Sequence, residues 1–86
     1  MSLIKTSQGP VWAQQQGDGP PLLLLHADGA SAREFDPIGA ALSAEFRVML
    51  LDFPGCGRSP RRAFSPAYSQ ENAKAARDLL KHWMPE

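Results

Sequence analysis

The chain has 86 residues, of which 43% are hydrophobic and 21% are charged. This length allows one small domain, residues 1–86, and the composition is that of a globular protein and excludes a disordered chain. Nine basic and nine acidic residues give a formal net charge of zero. Because no overall field then favours a polyanion, we expect neither a nucleic acid nor a membrane surface as a partner.

The single cysteine, Cys56, excludes an intrachain disulfide and is compatible with a reducing compartment. The first residues lack the long apolar region of a secretory signal. No apolar run approaches the roughly 18 residues of a membrane span. We therefore expect a soluble, cytoplasmic protein.

A hairpin is predicted at the start of the chain. Residues 3–6 and 10–16 are strand candidates, and Ser7, Gln8 and Gly9 between them are turn-forming residues. The glycines and prolines of residues 17–21 then interrupt the chain, because proline cannot donate a hydrogen bond to a ladder.

Four consecutive leucines, residues 22–25, follow this break without polar alternation. Such a run favours a strand buried on both faces, as in a parallel sheet. A second run of the same type covers residues 47–53. Ligands of open parallel sheets lie beyond the carboxyl ends of the strands, so the polar residues after Leu25 form a candidate site.

Two helices are predicted. Apolar residues at helical spacing occur between residues 31 and 43. Pro37 predicts a turn over residues 32–35 followed by a helix that begins around Asp36, with Asp36 as its cap and Pro37 in the first helical position. This helix joins the two buried strands into a βαβ unit. The last helix begins with Ser69 as its N-cap and ends before Pro85. Its predicted apolar face comprises Asn72, Ala76, Leu79, Leu80 and Trp83.

Both strand ends carry motifs that resemble the N-terminal part of the α/β-hydrolase family. That family has a strand ending in His-Gly-x-Gly, a helix, and a strand ending in Asp-x-Pro-Gly-x-Gly-x-Ser. Residues 26–29 read His-Ala-Asp-Gly, with Ala27 where glycine is usual, and residues 52–59 match the second motif at every specified position. The resemblance covers nearly the whole chain. It implies an α/β fold with a partial α/β-hydrolase-like sheet, formed by an N-terminal β-hairpin, a βαβ unit and a C-terminal helix.

The resemblance implies a hydrolase that acts on an ester or a related small substrate. In such enzymes a backbone amide after the first motif stabilises the negative oxygen of the tetrahedral intermediate. Carried over residue by residue, Asp28 supplies that amide as the catalytic residue, and His26, Ala27 and Gly29 lie on the substrate side of the same loop. The Asp28 carboxylate would oppose the developing charge if it turned inward.

The family also needs a nucleophile in a Gly-x-Ser-x-Gly elbow, an acid and a late histidine. No such elbow occurs in these 86 residues, which end about where the next strand would begin. We therefore expect this chain to be inactive by itself and to act with a complementary hydrolase chain. The alternative is a non-catalytic binding or dimerisation module. In either case the edge of the strand from Leu22 to Leu25 is the surface expected to pair, with that chain or with a copy of itself.

The residues give less support to cysteine catalysis, metal binding or dinucleotide binding. Cys56 could act as a nucleophile with His26 as its base, but we favour a variable turn position for Cys56 and a loop-bracing hydrogen bond for His26. The spacing of His26, Asp28, Cys56 and His82 is not that of metal ligands. A dinucleotide fingerprint, Gly-x-Gly-x-x-Gly, could start at Gly55, but its third glycine is replaced by Pro60. We expect neither a metal nor another cofactor.

Overall fold

The computed structural model describes residues 2–27, 30–63 and 65–84. These residues contain four strands, a 3-10 helix and two α-helices. The strands are β1 (Ser2–Thr6), β2 (Gly9–Gln16), β3 (Pro21–Leu24) and β4 (Arg47–Leu51). The 3-10 helix covers Ala32–Phe35, and the α-helices are α1 (Asp36–Leu42) and α2 (Tyr68–Trp83). The predicted α/β fold class is confirmed.

The four strands form one mixed sheet in the order β1-β2-β4-β3. Strands β1 and β2 form the predicted antiparallel hairpin. Strand β4 is antiparallel to β2 and parallel to β3, so β3, α1 and β4 make the predicted βαβ unit. The sheet therefore brings the carboxyl ends of β3 and β4 to the same edge, where ligands of parallel sheets usually lie.

Burial differs between the two apolar strands. Strand β4 lies inside the sheet, and its residues Val48, Met49, Leu50 and Leu51 are all buried, as predicted. Strand β3 lies at the edge, and its three leucines are only partly buried. The prediction of burial on both faces was therefore wrong for β3, which also ends before Leu25, a residue with 48% of its surface exposed. Four leucines in a row look the same in an edge strand as in a central one.

The chain between β3 and β4 turns as predicted. The hydroxyl of Ser31 accepts a hydrogen bond from the Arg33 amide and caps the 3-10 helix. Helix α1 begins at Asp36 with Pro37 in its first turn, where a missing amide donor costs nothing. The N-cap is Phe35, so the prediction of Asp36 as the cap was wrong by one residue.

Helix α2 begins earlier than predicted. Its N-cap is Ala67, and Ser69 lies inside the first turn. The reason is a turn that is already formed at Ser65, whose carbonyl accepts from the Tyr68 amide and whose hydroxyl accepts from the Ala67 amide. The buried face also differs in part from the predicted one, since it comprises Ala75, Ala76 and Leu79.

Two apolar clusters hold the sheet, one on each face. The cluster under α2 includes Val11, Ala13, Leu51, Phe53, Ala75 and Leu79. The other includes Trp12, Ala32, Val48 and Leu50, with Leu42 and Phe46 packed against it. Consecutive residues of β2 and β4 fall into opposite clusters because side chains alternate across a strand.

No helix within residues 2–27, 30–63 and 65–84 combines the length and hydropathy needed to cross a bilayer.

We expect Leu79→Ala to lower the free energy of unfolding by about 2–4 kcal/mol, because it removes a fully buried side chain and leaves a cavity. The matched control is Leu3→Ala, since Leu3 is 56% exposed. It should change that free energy by less than about 1 kcal/mol. Urea titration followed by circular dichroism measures both, and equal effects would contradict the described packing of α2.

Candidate functional site

The segment after β3 is held at both of its ends by the residues that follow β4. At one end, the backbone N–H of Phe53 donates to Nε2 of His26 at 2.9 Å. At the other end, the backbone N–H of Ala32 donates to Oδ1 of Asp52 at 2.7 Å. Because Asp52 and Phe53 are consecutive, one short stretch of backbone holds His26 and Ala32, the two ends of the segment 26–32, whose residues 28 and 29 lie outside the described part of the chain. We call this segment the β3 loop.

His26 is a structural residue of the β3 loop. Its side chain is buried, and its ring lies 4.6 Å from the Phe53 ring, centroid to centroid. A backbone N–H can only donate, so Nε2 of His26 must accept and the ring proton must reside on Nδ1. Nδ1 then donates to the carbonyl of Ala27 at 2.7 Å. Both ring nitrogens are thus used by the backbone, which confirms the expected loop-bracing role and leaves no free base for Cys56.

Asp52 is fully buried and charged. Burial by itself would raise the pKa of its carboxyl group. The side-chain hydrogen bond from Arg58 and the backbone hydrogen bonds from Ala32 and Arg58 oppose that effect, as does the Arg58 charge. Their sum outweighs burial, so the pKa of Asp52 lies below its ordinary value and the carboxylate is ionised near neutral pH.

Arg58 is the counter-charge of Asp52. Its Nε donates to Oδ2 at 2.8 Å, and its backbone N–H donates to the same oxygen at 2.8 Å. The guanidinium carbon lies 3.4 Å from the centroid of the Trp12 ring, within cation–π distance. The Arg58 side chain is 28% exposed, so the ion pair lies at the boundary between the core and solvent.

Ser59 and Gly57 complete the turn around Asp52. The Ser59 hydroxyl donates to the carbonyl of Asp52 at 2.6 Å and accepts from the Trp12 amide at 2.9 Å, which ties the turn to β2. Gly57 has a φ of +49°, and a Cβ there would lie 2.6 Å from Oδ2 of Asp52. Of the specified residues of the second motif, Asp52 thus supplies a buried carboxylate, and Gly57 and Ser59 support the turn around it.

The predicted site residues are only partly accounted for. Asp28 and Gly29 lie outside the described residues. Ala27 is exposed, and its amide donates to Oε2 of Glu34 at 3.4 Å. Cys56 is partly buried and packs against the apolar cluster under α2, which supports its interpretation as a turn residue.

Our reasoning from the sequence did not identify the buried group formed by Asp52, Arg58 and Trp12. A signal for it exists, because an acidic residue directly after a buried strand, with an arginine six positions later, can place both partners in one turn. The contribution of Trp12 has no local signal, since it comes from a strand 40 residues earlier.

The lowered pKa of Asp52 predicts a specific acid sensitivity. A depressed native pKa contributes stability that is present above the unfolded-state value, near 3.8, and is lost as the pH falls through the native value. Asp52→Asn should therefore cost roughly 2–3 kcal/mol at pH 7, and the difference from the unmodified chain should shrink below pH 3.8. Asp18→Asn removes an exposed carboxylate and is the matched control. Urea titrations between pH 7 and pH 2 measure this, and a constant difference across the range would contradict the assignment.

Comparison with known proteins identifies the family. The alpha/beta hydrolase fold profile matches residues 20–82. The magnesium-chelatase 30 kDa subunit of Rhodobacter capsulatus is 47% identical over 60 residues, which cover 63% of this chain and 21% of that protein. The pimeloyl-[acyl-carrier protein] methyl ester esterase of Vibrio vulnificus is 38% identical over 69 residues, which cover 80% of this chain and 25% of that protein.

Solved structures agree with this match. A hydrolase from Pseudomonas aeruginosa superposes with a TM-score of 0.85 at 26% identity, over 95% of this chain and 32% of that one. The chain thus spans between a fifth and a third of the proteins that it matches. It belongs to the alpha/beta hydrolase fold family.

Proposed function

We propose that this chain supplies the oxyanion-hole part of a hydrolase that acts on an ester or a related small substrate. Within the proposal, the backbone amide of Asp28 donates to the negative oxygen of the tetrahedral intermediate, and Ala27 and Gly29 form the substrate side of the loop. His26, which was expected on that side as well, is buried and braces the loop through both of its ring nitrogens. A backbone donor of this kind does not depend on the chemistry of its side chain.

The observation that carries the proposal is the attachment of the β3 loop at both ends. An oxyanion hole works only if its donors are oriented before the charge develops, so the loop that bears them has to be rigid. The hydrogen bonds from the Phe53 amide to His26 and from the Ala32 amide to Asp52 provide that attachment, at the carboxyl ends of two parallel strands.

The Vibrio vulnificus relative, a methyl ester esterase, favours an ester as the substrate. The chemistry needs a nucleophile, an acid and a base beyond the donors of an oxyanion hole, and these 86 residues contain no Gly-x-Ser-x-Gly elbow. In this proposal the chain is therefore inactive by itself and becomes active when a complementary hydrolase segment pairs along β3.

A hybrid protein tests this proposal. In the hybrid, this chain replaces the matched segment of the Vibrio vulnificus relative, whose remaining part serves as the complementary segment. We expect the hybrid to hydrolyse p-nitrophenyl butyrate. The 86-residue chain alone, and the relative without its matched segment, should not.

The hybrid must be shown to fold before its activity is interpreted, by a near-UV circular dichroism spectrum like that of the relative. A folded hybrid without turnover would contradict the proposal. Turnover by the 86-residue chain alone would contradict the statement that it needs a complement.

A second candidate function is self-association through β3, as a binding or dimerisation module. The observation that favours it is the difference between the two edges of the sheet. Of the described strands, only β4 is hydrogen-bonded to β3, and β3 carries no charged residue, whereas β1 at the other edge contains Lys5. Charged residues on an edge strand hinder pairing with another chain, and their absence leaves that edge open to pairing.

Size-exclusion chromatography with native mass spectrometry at micromolar concentration tests this second function. We expect a dimer or larger species, because two unpaired β3 edges can continue one sheet into the other. Leu22→Lys should return the chain to a monomer, since it places a charge on that edge, while Leu3→Lys on the opposite edge should not. A monomeric unmodified chain would exclude self-association.

A further inference from the structure

We infer that Arg58 is a positioning residue for the β3 loop, acting through the Asp52 carboxylate on the backbone amide of Ala32. The inference rests on the proposed function for its catalytic meaning, but its structural part stands on the contacts of the described residues. Arg58 lies in the loop after β4 and is not part of the segment that it positions.

The Asp52 carboxylate accepts hydrogen bonds from two parts of the chain, and both sets depend on its orientation. Oδ1 accepts from the Ala32 amide of the β3 loop and, at 3.4 Å, from Nη2 of Arg58, while Oδ2 accepts from the backbone N–H and Nε of Arg58. A fully buried carboxylate without its counter-charge would be driven to take up a proton or to turn toward water. Either change alters the acceptor that holds Ala32.

The Trp12 ring holds Arg58 in the orientation that this contact needs. With the guanidinium carbon over the Trp12 ring, 3.4 Å from its centroid, and Nε 2.8 Å from Oδ2, Arg58 is held by the ring and by the carboxylate at once. Lysine has neither the plane nor the forked donors, so it can supply the charge without the orientation.

A second arginine of the same stretch provides the matched comparison. Arg62 also forms an ion pair, but its Nη2 donates to Glu71 on α2 and its Nη1 donates to the carbonyl of Gln8. Its contacts join α2 to the β1–β2 turn and do not reach the β3 loop. Loss of Arg62 therefore removes an arginine–carboxylate ion pair, one that is more exposed than the Arg58–Asp52 pair, without touching Asp52.

Amide hydrogen exchange of the 86-residue chain, measured by NMR, tests the structural part. In Arg58→Ala we expect the Ala32 amide to exchange at least about tenfold faster relative to the Leu50 amide inside the sheet, because its acceptor is no longer held. Arg62→Ala should leave that ratio unchanged, and Arg58→Lys should recover only part of the lost protection. A constant ratio in Arg58→Ala would overturn the inference, since global destabilisation alone would then explain the exchange. Full recovery in Arg58→Lys would overturn the role of the guanidinium over the Trp12 ring.

The hybrid protein described above tests the catalytic part. Misplaced oxyanion donors weaken transition-state stabilisation more than substrate binding, so Arg58→Ala should lower kcat roughly tenfold with KM nearly unchanged. Arg62→Ala should change neither constant. A raised KM with an unchanged kcat would overturn the positioning role. If the unmodified hybrid has no turnover, the proposed function fails, whereas the exchange ratio still decides whether Arg58 positions the loop.

Discussion

A buried, ionised carboxylate organises the functional end of this sheet. Asp52 follows the central strand β4 and is carried by that strand into the core, where an unpaired charge would be strongly unfavourable. Arg58 and two backbone amides compensate the charge, one of them from the β3 loop. The requirement to satisfy one carboxylate therefore determines where the loops after β3 and β4 lie relative to each other.

The apolar core and this polar turn depend on each other. Strand β4 is buried because β2 and β3 flank it and a cluster of side chains covers each of its faces. Trp12 belongs to one of those clusters and also carries the Arg58 guanidinium on its ring, while its amide donates to Ser59. Packing of the apolar cluster around Trp12 thus orients the residues that hold the β3 loop, and the arrangement of the site depends on the packing of the sheet.

Local patterns in the sequence were sufficient for most of the fold. Turn residues predicted the hairpin, and Pro37 predicted the start of α1, because both depend on backbone preferences of a few adjacent residues. The leucine run alone did not predict the partial burial of β3, since burial depends on whether the strand has one neighbour or two, whereas the family resemblance placed this strand at an edge. For the site, the second motif contains Asp52 and Ser59, but Arg58 stands at one of its unspecified positions. The role of Asp52 depends on its contact with Ala32 and on the contact of Arg58 with Trp12, which join residues distant in sequence. The role proposed for Asp28 rests on the family resemblance, as that residue lies outside the described part of the chain.

The central claim is that the backbone after β4 holds both ends of the β3 loop. The most direct measurement is the ¹⁵N chemical shift of each ring nitrogen of His26, because only one of the two neutral tautomers can accept the Phe53 amide. The account predicts a proton on Nδ1 and a bare Nε2, with a coupling across the hydrogen bond from the Phe53 amide to Nε2. A neutral ring protonated on Nε2 would contradict the account, since the Phe53 amide would then have no acceptor on His26 and the loop would be free at that end.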